Sequence, residues 1–157
     1  MLREILIIGI GGQGALTVGE ILLYAAKNKN YGASFYPFYG SQMRGGESGC
    51  VVKIDTSGRD VLNPTINSPN DFILLSDKFF DKYKRFASEN SKYYQIDEME
   101  LKKYITIDIR KNFNILILKK YVKQSMLFTD GEIIEAIKEK FKKETVYNSK
   151  INVYNDI

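Results

Sequence analysis

The sequence predicts an α/β protein, a single domain over residues 1–157 in which helices cover a mostly parallel or mixed sheet in three α/β/α layers. Three observations carry that expectation. Ile5-Leu6-Ile7-Ile8 is an unbroken aliphatic run that stops at glycines, as suits a strand buried on both faces of a sheet. Gly9, Gly11 and Gly14 follow in G-x-G-x-x-G spacing, and a helical stretch with Leu16, Ile21, Leu22, Leu23, Ala25 and Ala26 comes next. Strand-like and helix-like patterns then alternate with no long linker and no internal repeat. A strand, a tight glycine turn and a helix with an open N-terminus make the start of the chain Rossmann-like.

The later elements follow in order. Ala33 to Phe38 reads as a second strand, with Pro37 near its end because proline cannot donate into a central ladder. Tyr39 to Ser48 is a loop with three glycines and one arginine, and Gly49 to Asp55 is a third strand. Thr56-Ser57-Gly58-Arg59-Asp60 reads as a turn into a short strand at Val61-Leu62. Asp71 to Leu75 is another apolar strand. Ser76 is placed to cap a helix carrying Phe79, Phe80, Tyr83 and Phe86. Tyr93 to Ile96 suits a strand, and Asp97 to Tyr104 a helical turn. Residues 112–124 read as a helix with Phe113, Ile115, Leu116, Leu118 and Val122 toward the core. Thr129-Asp130-Gly131-Glu132 has the form of a capping box and opens a helix with Ile133, Ile134, Ile137 and Phe141 on one face. Val146 to Val153 reads as a last strand or an extended tail.

Composition limits the chemistry. Hydrophobic residues make up 44% and charged residues 27%, a soluble globular mixture. The net charge of +4 comes largely from lysines mixed with glutamates, a pattern of solvated helix faces and not of a nucleic-acid stripe. No apolar run approaches the ~20 residues of a membrane span. Met1 leads directly into the first strand, so no signal peptide is expected, and the single cysteine, Cys50, suits a reducing cytoplasm. With no histidine and one cysteine, a Cys/His zinc site, an iron–sulfur cluster held by this chain alone, and Ser-His-Asp or Cys-His catalysis are all excluded. Reactive groups must be Arg, Lys, carboxylates or backbone amides, or belong to another chain.

Two stretches remain as candidates. The glycine turn alone is a weak signal for a dinucleotide, and the acidic residue expected about 20 residues on is missing. No Asp or Glu occurs between Glu20 and Glu47. The glycines therefore either allow close strand–helix packing or offer amides to another anion or a partner chain. Gln13, which can donate and accept, would point into the crevice above the first strand. The loop Met43-Arg44-Gly45-Gly46-Glu47-Ser48 combines a guanidinium with flexible backbone that can converge on an anion. Alternatively Arg44 pairs with Glu47 on the surface. Following the second strand, this loop should lie near the glycine turn. Tyr39, beside Gly40, belongs to the site more than to a core, whereas Cys50 reads as a packed core thiol.

Ile8-Gly9-Ile10-Gly11-Gly12-Gln13-Gly14 together with Phe35-Tyr36-Pro37-Phe38-Tyr39-Gly40-Ser41-Gln42-Met43-Arg44-Gly45-Gly46-Glu47-Ser48 resembles one family, the gamma subunit of the 2-oxoacid:ferredoxin oxidoreductases (the pyruvate/ketoisovalerate group). The strand Cys50 to Ile54 and the entry Pro69-Asn70-Asp71-Phe72 are similar too, so residues 4–84 carry most of the likeness. Asn114-Ile115-Leu116-Ile117-Leu118 resembles the family's asparagine-led helix, but Lys119 stands where glycine is usual. The resemblance implies a subunit of an oxygen-sensitive complex of anaerobic metabolism. That complex decarboxylates a 2-oxoacid oxidatively, forms an acyl-CoA and reduces ferredoxin or flavodoxin. It implies thiamine diphosphate and magnesium in alpha and beta subunits, [4Fe-4S] clusters in a ferredoxin-like delta subunit, and no cofactor held by this chain alone. It implies no catalytic residue here, and a lining for substrate, coenzyme A or a subunit interface from Gly11, Gly12, Gln13, Gly14, Tyr39, Gly40, Arg44, Gly45 and Gly46. A stand-alone nucleotide-binding module is the alternative, and a diverged paralogue that assembles without contributing to chemistry is a third.

Overall fold

The structure, a computed structural model, describes residues 1–42, 44–104 and 108–157. Among them, five strands form one mixed sheet in the order β2-β3-β1-β4-β5. The strands are β1 (Leu2–Ile10), β2 (Gly32–Tyr39), β3 (Glu47–Asp55), β4 (Asp71–Leu74) and β5 (Lys92–Tyr94). β4 runs parallel to β1 and to β5, whereas β3 is antiparallel to both β1 and β2. β1 and β2 therefore share a direction with β3 inserted between them. The helices are α1 (Ala15–Asn28), α2 (Glu98–Leu101), α3 (Ile109–Ser125), α4 (Asp130–Phe141) and α5 (Glu144–Asp156).

The aliphatic run in β1 behaves as its pattern demands. Ile5 to Ile8 are all fully buried, and alternation sends Ile5 and Ile7 to one face and Leu6 and Ile8 to the other. On the first face α1, α3, α4 and α5 build the main core. Gly19 lets α1 approach the sheet closely, because a Cβ there would lie 2.4 Å from the Cys50 sulfur. The α/β class with a mixed sheet is as expected, and the layer on the second face is made of 3-10 turns and loops. Phe72, Leu74 and Val51 are covered there by Phe79, Phe80, Tyr83 and Phe86. This segment forms two 3-10 turns, Phe80–Lys82 and Lys84–Phe86, in place of the expected α-helix. The reason lies in the spacing: Phe80, Tyr83 and Phe86 recur every third residue, which aligns one face of a helix with three residues per turn. The Ser76 hydroxyl still accepts a hydrogen bond from the Lys78 amide at 3.2 Å.

Two further expectations are corrected. Val61 and Leu62 form no strand; Leu62 is exposed, and the segment instead rests on a buried pair. Lys53 Nζ lies 3.3 Å from Glu4 and donates to the Thr65 carbonyl at 2.6 Å, while the Glu4 carboxylate accepts from the Asn67 amide at 2.9 Å. Val146 to Val153 lies within α5, where Tyr147, Ile151 and Tyr154 repeat at helical spacing and turn toward the core. The capping box at Thr129 and Glu132 forms as expected, and a second one at Asp97 and Glu100 opens α2.

Two buried polar clusters tie elements together. At the amino end of β4 the fully buried Asp71 accepts from Arg3 Nε at 2.5 Å and Nη2 at 3.1 Å, from the Tyr121 hydroxyl at 3.0 Å, and from the Tyr94 hydroxyl at 3.2 Å. Lys119 is buried between helices. Its ammonium sits 3.1 Å from Asp130 and 4.1 Å from the centre of the Tyr154 ring, and Tyr154 donates to the same carboxylate at 2.8 Å. That ammonium therefore joins α3 to α4 and α5.

Candidate functional site

Because β1 and β2 share a direction, the turn after β1 and the hairpin loop between β2 and β3 leave the sheet at the same end. They touch: the Gly11 amide donates to the Gly46 carbonyl at 2.9 Å. The base of the loop is closed by the Gly40 amide on the Glu47 carbonyl at 2.8 Å. The expected adjacency of the two glycine loops is thus present, produced by an antiparallel hairpin instead of neighbouring parallel strands.

Within the first turn, Gly12 and Gly14 hold φ values of 91° and 85°, which a side chain resists. Gly14 is the N-cap of α1, with no side chain capping it and no acidic residue in the first turn. In the hairpin loop Gly45 has φ 64°, and space is open beyond both Gly12 and Gly45. Gln13 departs from expectation. Its side-chain oxygen turns back to accept from the Ile10 amide at 2.8 Å and packs over Gly9, so it shapes the turn and does not reach into the crevice.

Arg44 and Tyr39 are exposed at the rim, and Met43 lies outside the described residues. The surface pairing of Arg44 with Glu47 is not found. Glu47 is buried and its carboxylate accepts from the Lys82 ammonium and the Tyr83 hydroxyl. Burial, with the Glu47 carboxylate next, pushes the Tyr83 hydroxyl well above its ordinary range. Lys78 donates to the Gly45 carbonyl at 3.2 Å, and Lys78, Lys82, Ser41 and Gln42 line a cavity of about 360 Å³ beside the loop. The site is thus basic, with an exposed guanidinium and two ammoniums, one of them paired with Glu47, and among the described residues the Gly12, Gly14 and Gly45 amides have no hydrogen-bond partner. The sequence reading missed both lysines and the role of Glu47. The only signal was their place just after β4, at the same end of the sheet as the glycine turn.

The residues present do not fit a metal cofactor. Among the described residues no three His, Cys, Asp or Glu side chains are grouped to hold an ion. Cys50 is fully buried, and burial, reinforced by the Glu20 charge, pushes its thiol far up, so it suits neither a cluster nor a nucleophile. Nor does the end of β2 offer a carboxylate for a ribose. The open donors do fit a phosphate-bearing or carboxylate anion. No helix among the described residues is long and apolar enough to cross a membrane.

Known proteins share both the sequence and the fold. The chain is 39% identical over 77 residues to the ketoisovalerate oxidoreductase subunit VorA of Methanothermobacter thermautotrophicus, a match covering 49% of this chain and 16% of that one. It is 38% identical over 85 residues to the 2-oxoglutarate synthase subunit KorC of Methanocaldococcus jannaschii, covering 54% of this chain and 44% of that one. The matches thus span well under two thirds of either relative. Among solved structures, the keto/oxoacid ferredoxin oxidoreductase gamma subunit of Geobacter sulfurreducens superposes with a TM-score of 0.71 at 20% identity over 98% of this chain and 94% of that one. The 2-oxoglutarate:ferredoxin oxidoreductase of Magnetococcus marinus, solved with 2-oxoglutarate, coenzyme A and succinyl-CoA bound, superposes with a TM-score of 0.77 at 14% identity over 99% of this chain and 30% of that one. These likenesses show a common fold. The family description of pyruvate ferredoxin/flavodoxin oxidoreductase matches residues 4–154, and the chain belongs to that family.

Proposed function

We propose that this chain is the gamma-type subunit of a 2-oxoacid:ferredoxin (or flavodoxin) oxidoreductase, inactive alone. The observation that carries this reading is the pairing of two donor-rich loops through Gly11 and Gly46 on a chain that belongs to the oxidoreductase family. The complex would convert a 2-oxoacid and coenzyme A to an acyl-CoA and carbon dioxide, passing two electrons to the acceptor. Thiamine diphosphate with magnesium and the [4Fe-4S] clusters, held by alpha, beta and delta subunits, would supply decarboxylation and electron transfer.

The part of this chain is recognition. Gly12, Gly14, Gly45 and the start of α1 offer backbone donors, and Arg44 an exposed cation, to the anionic diphosphate of coenzyme A. Tyr39 and Gly40 form the rim, Gln13 shapes the first turn, and Gly46 joins the two loops through the Gly11 amide. The chain alone should reduce no viologen with any 2-oxoacid, and adding the other subunits should restore turnover. Turnover by the isolated chain would refute the proposal. In the assembled complex, Arg44→Ala should raise KM for coenzyme A about tenfold with little change in kcat, the loss of one charge-assisted contact.

A further inference from the structure

The cavity beside the hairpin loop carries positive charge that a diphosphate at the glycine turn does not use. Lys78 follows β4, passes over the Phe79 ring with its ammonium 5.1 Å from the centre, and donates to the Gly45 carbonyl at 3.2 Å. Among the described residues it enters no ion pair. A carbonyl takes a hydrogen bond but leaves the charge of the ammonium uncompensated. Lys82 lines the same cavity and is paired with Glu47. Glu47, the one carboxylate of the lining, is buried and also accepts from Tyr83. Two ammoniums thus stand against one carboxylate. The Ser41 hydroxyl and Gln42 carboxamide on the same wall have no hydrogen-bond partner among the described residues.

The position of this cavity relative to the glycine turn selects the anion. The Gly46 carbonyl accepts from the Gly11 amide, and the carbonyl of the preceding residue, Gly45, accepts from Lys78. Consecutive residues lie ~3.8 Å apart, so the two places are neighbours joined by one peptide unit. A ligand whose diphosphate rests on the turn therefore reaches the cavity across a single sugar ring. Coenzyme A has that distribution of charge: a diphosphate on the 5′ oxygen of its ribose and a separate phosphomonoester on the 3′ oxygen. A phosphomonoester carries a charge of about −1.5 to −2 at pH 7. A compact ammonium meets it as a point charge, with no need of the two-pronged geometry of arginine.

We infer that the cavity of Lys78, Lys82, Ser41 and Gln42 is a subsite for the 3′-phosphate of coenzyme A, with Lys78 as the residue that distinguishes coenzyme A from dephospho-coenzyme A. This rests on the coenzyme A reading and deepens it. The diphosphate takes the backbone donors of the two glycine loops, and the monoester takes the free ammonium beside them. Lys82 is shared with Glu47, so it adds to the field of the subsite while anchoring the loop.

The assembled complex, with no 2-oxoacid present so that nothing turns over, is titrated by calorimetry at low ionic strength with coenzyme A and with dephospho-coenzyme A. Coenzyme A should bind about tenfold more tightly, the scale of one charge-assisted hydrogen bond. Lys78→Gln should bring that preference below about threefold by weakening coenzyme A alone, and Lys78→Arg should restore most of it. Lys78 is exposed, so neither substitution disturbs packing, and circular dichroism checks the fold. A preference below about threefold in the unaltered complex, or one that survives intact in Lys78→Gln, overturns the inference and leaves the coenzyme A reading standing. Equal weakening of both ligands by Lys78→Gln places the lysine on the diphosphate and overturns it too. If neither ligand binds the complex, the coenzyme A reading fails and the subsite with it.

Discussion

Asp71→Asn is the most severe single change the structure offers outside the site. The carboxylate is fully buried and takes four donors on two oxygens: two from the Arg3 fork and one from each of Tyr94 and Tyr121. Asparagine keeps the shape but has one oxygen, so two of the four donors would face an NH2 group. The Arg3 side chain, itself mostly buried, would lose its counter-charge. Breaking a buried pair in this way costs about 3–5 kcal/mol. For a chain of this size each kcal/mol lowers Tm by about 2–4 °C, so the fall should lie between about 6 and 20 °C. Thermal and urea unfolding followed by circular dichroism measure it, with the urea slope checked for constancy. Tyr121→Phe supplies the internal control, removing one neutral donor and costing about 1 kcal/mol. A loss for Asp71→Asn no larger than that of Tyr121→Phe would refute the argument, since the carboxylate's charge would then contribute nothing.

Two other outcomes follow from the same physics. Glu47→Gln keeps the packing under the hairpin loop but weakens the contacts to Lys82 and Tyr83; stability should fall by about 1–2 kcal/mol, and KM for coenzyme A in the assembled complex should rise as the loop loosens. Unchanged KM would separate the loop's anchorage from its use. The second concerns alkaline pH. Burial, and then the Asp71 charge, push Tyr94 up to about 12, and Tyr121 is also raised well above its ordinary value by burial and Asp71. The folded chain keeps these protons after the unfolded chain has released them. Their stabilisation is therefore whole below about pH 10, the unfolded value, and is lost as the pH rises toward 12. Urea midpoints measured from pH 8 to pH 12 should hold to about pH 10 and then drop; a flat profile would contradict it.

How much of this was readable in advance depended on whether the cause was local. β1, α1 and the capping box at Thr129 are set by residues within a few positions of one another, and they formed as read. The hairpin loop was legible as a flexible, basic stretch, and its nearness to the glycine turn followed from strand direction. What escaped was non-local or depended on which period the packing selects. Glu47 meets Lys82 and Tyr83 more than thirty residues away, and no local pattern announces that a carboxylate in an R-G-G-E run will turn inward. Phe80, Tyr83 and Phe86 fit a 3-10 period as well as an α-helical one, and sheet packing made the choice. Val146 to Val153 read as a last strand or an extended tail, while the wider repeat of Tyr147, Ile151 and Tyr154 packs toward the core and makes this stretch helical. Asn114 was visible as a residue of the family's asparagine-led helix; only the fold brings it to Gly14.

The seat of Cys50 has a practical consequence. Its sulfur is wedged where α1 passes closest to β3, with no exposure and a thiol held in its protonated, unreactive form. A soluble disulfide reagent can reach it only when that helix lifts from the strand, and the chain has no other cysteine to confuse the signal. Labelling kinetics under native conditions would thus clock the opening of the floor on which both glycine loops rest, in a molecule that carries its own reporter without engineering.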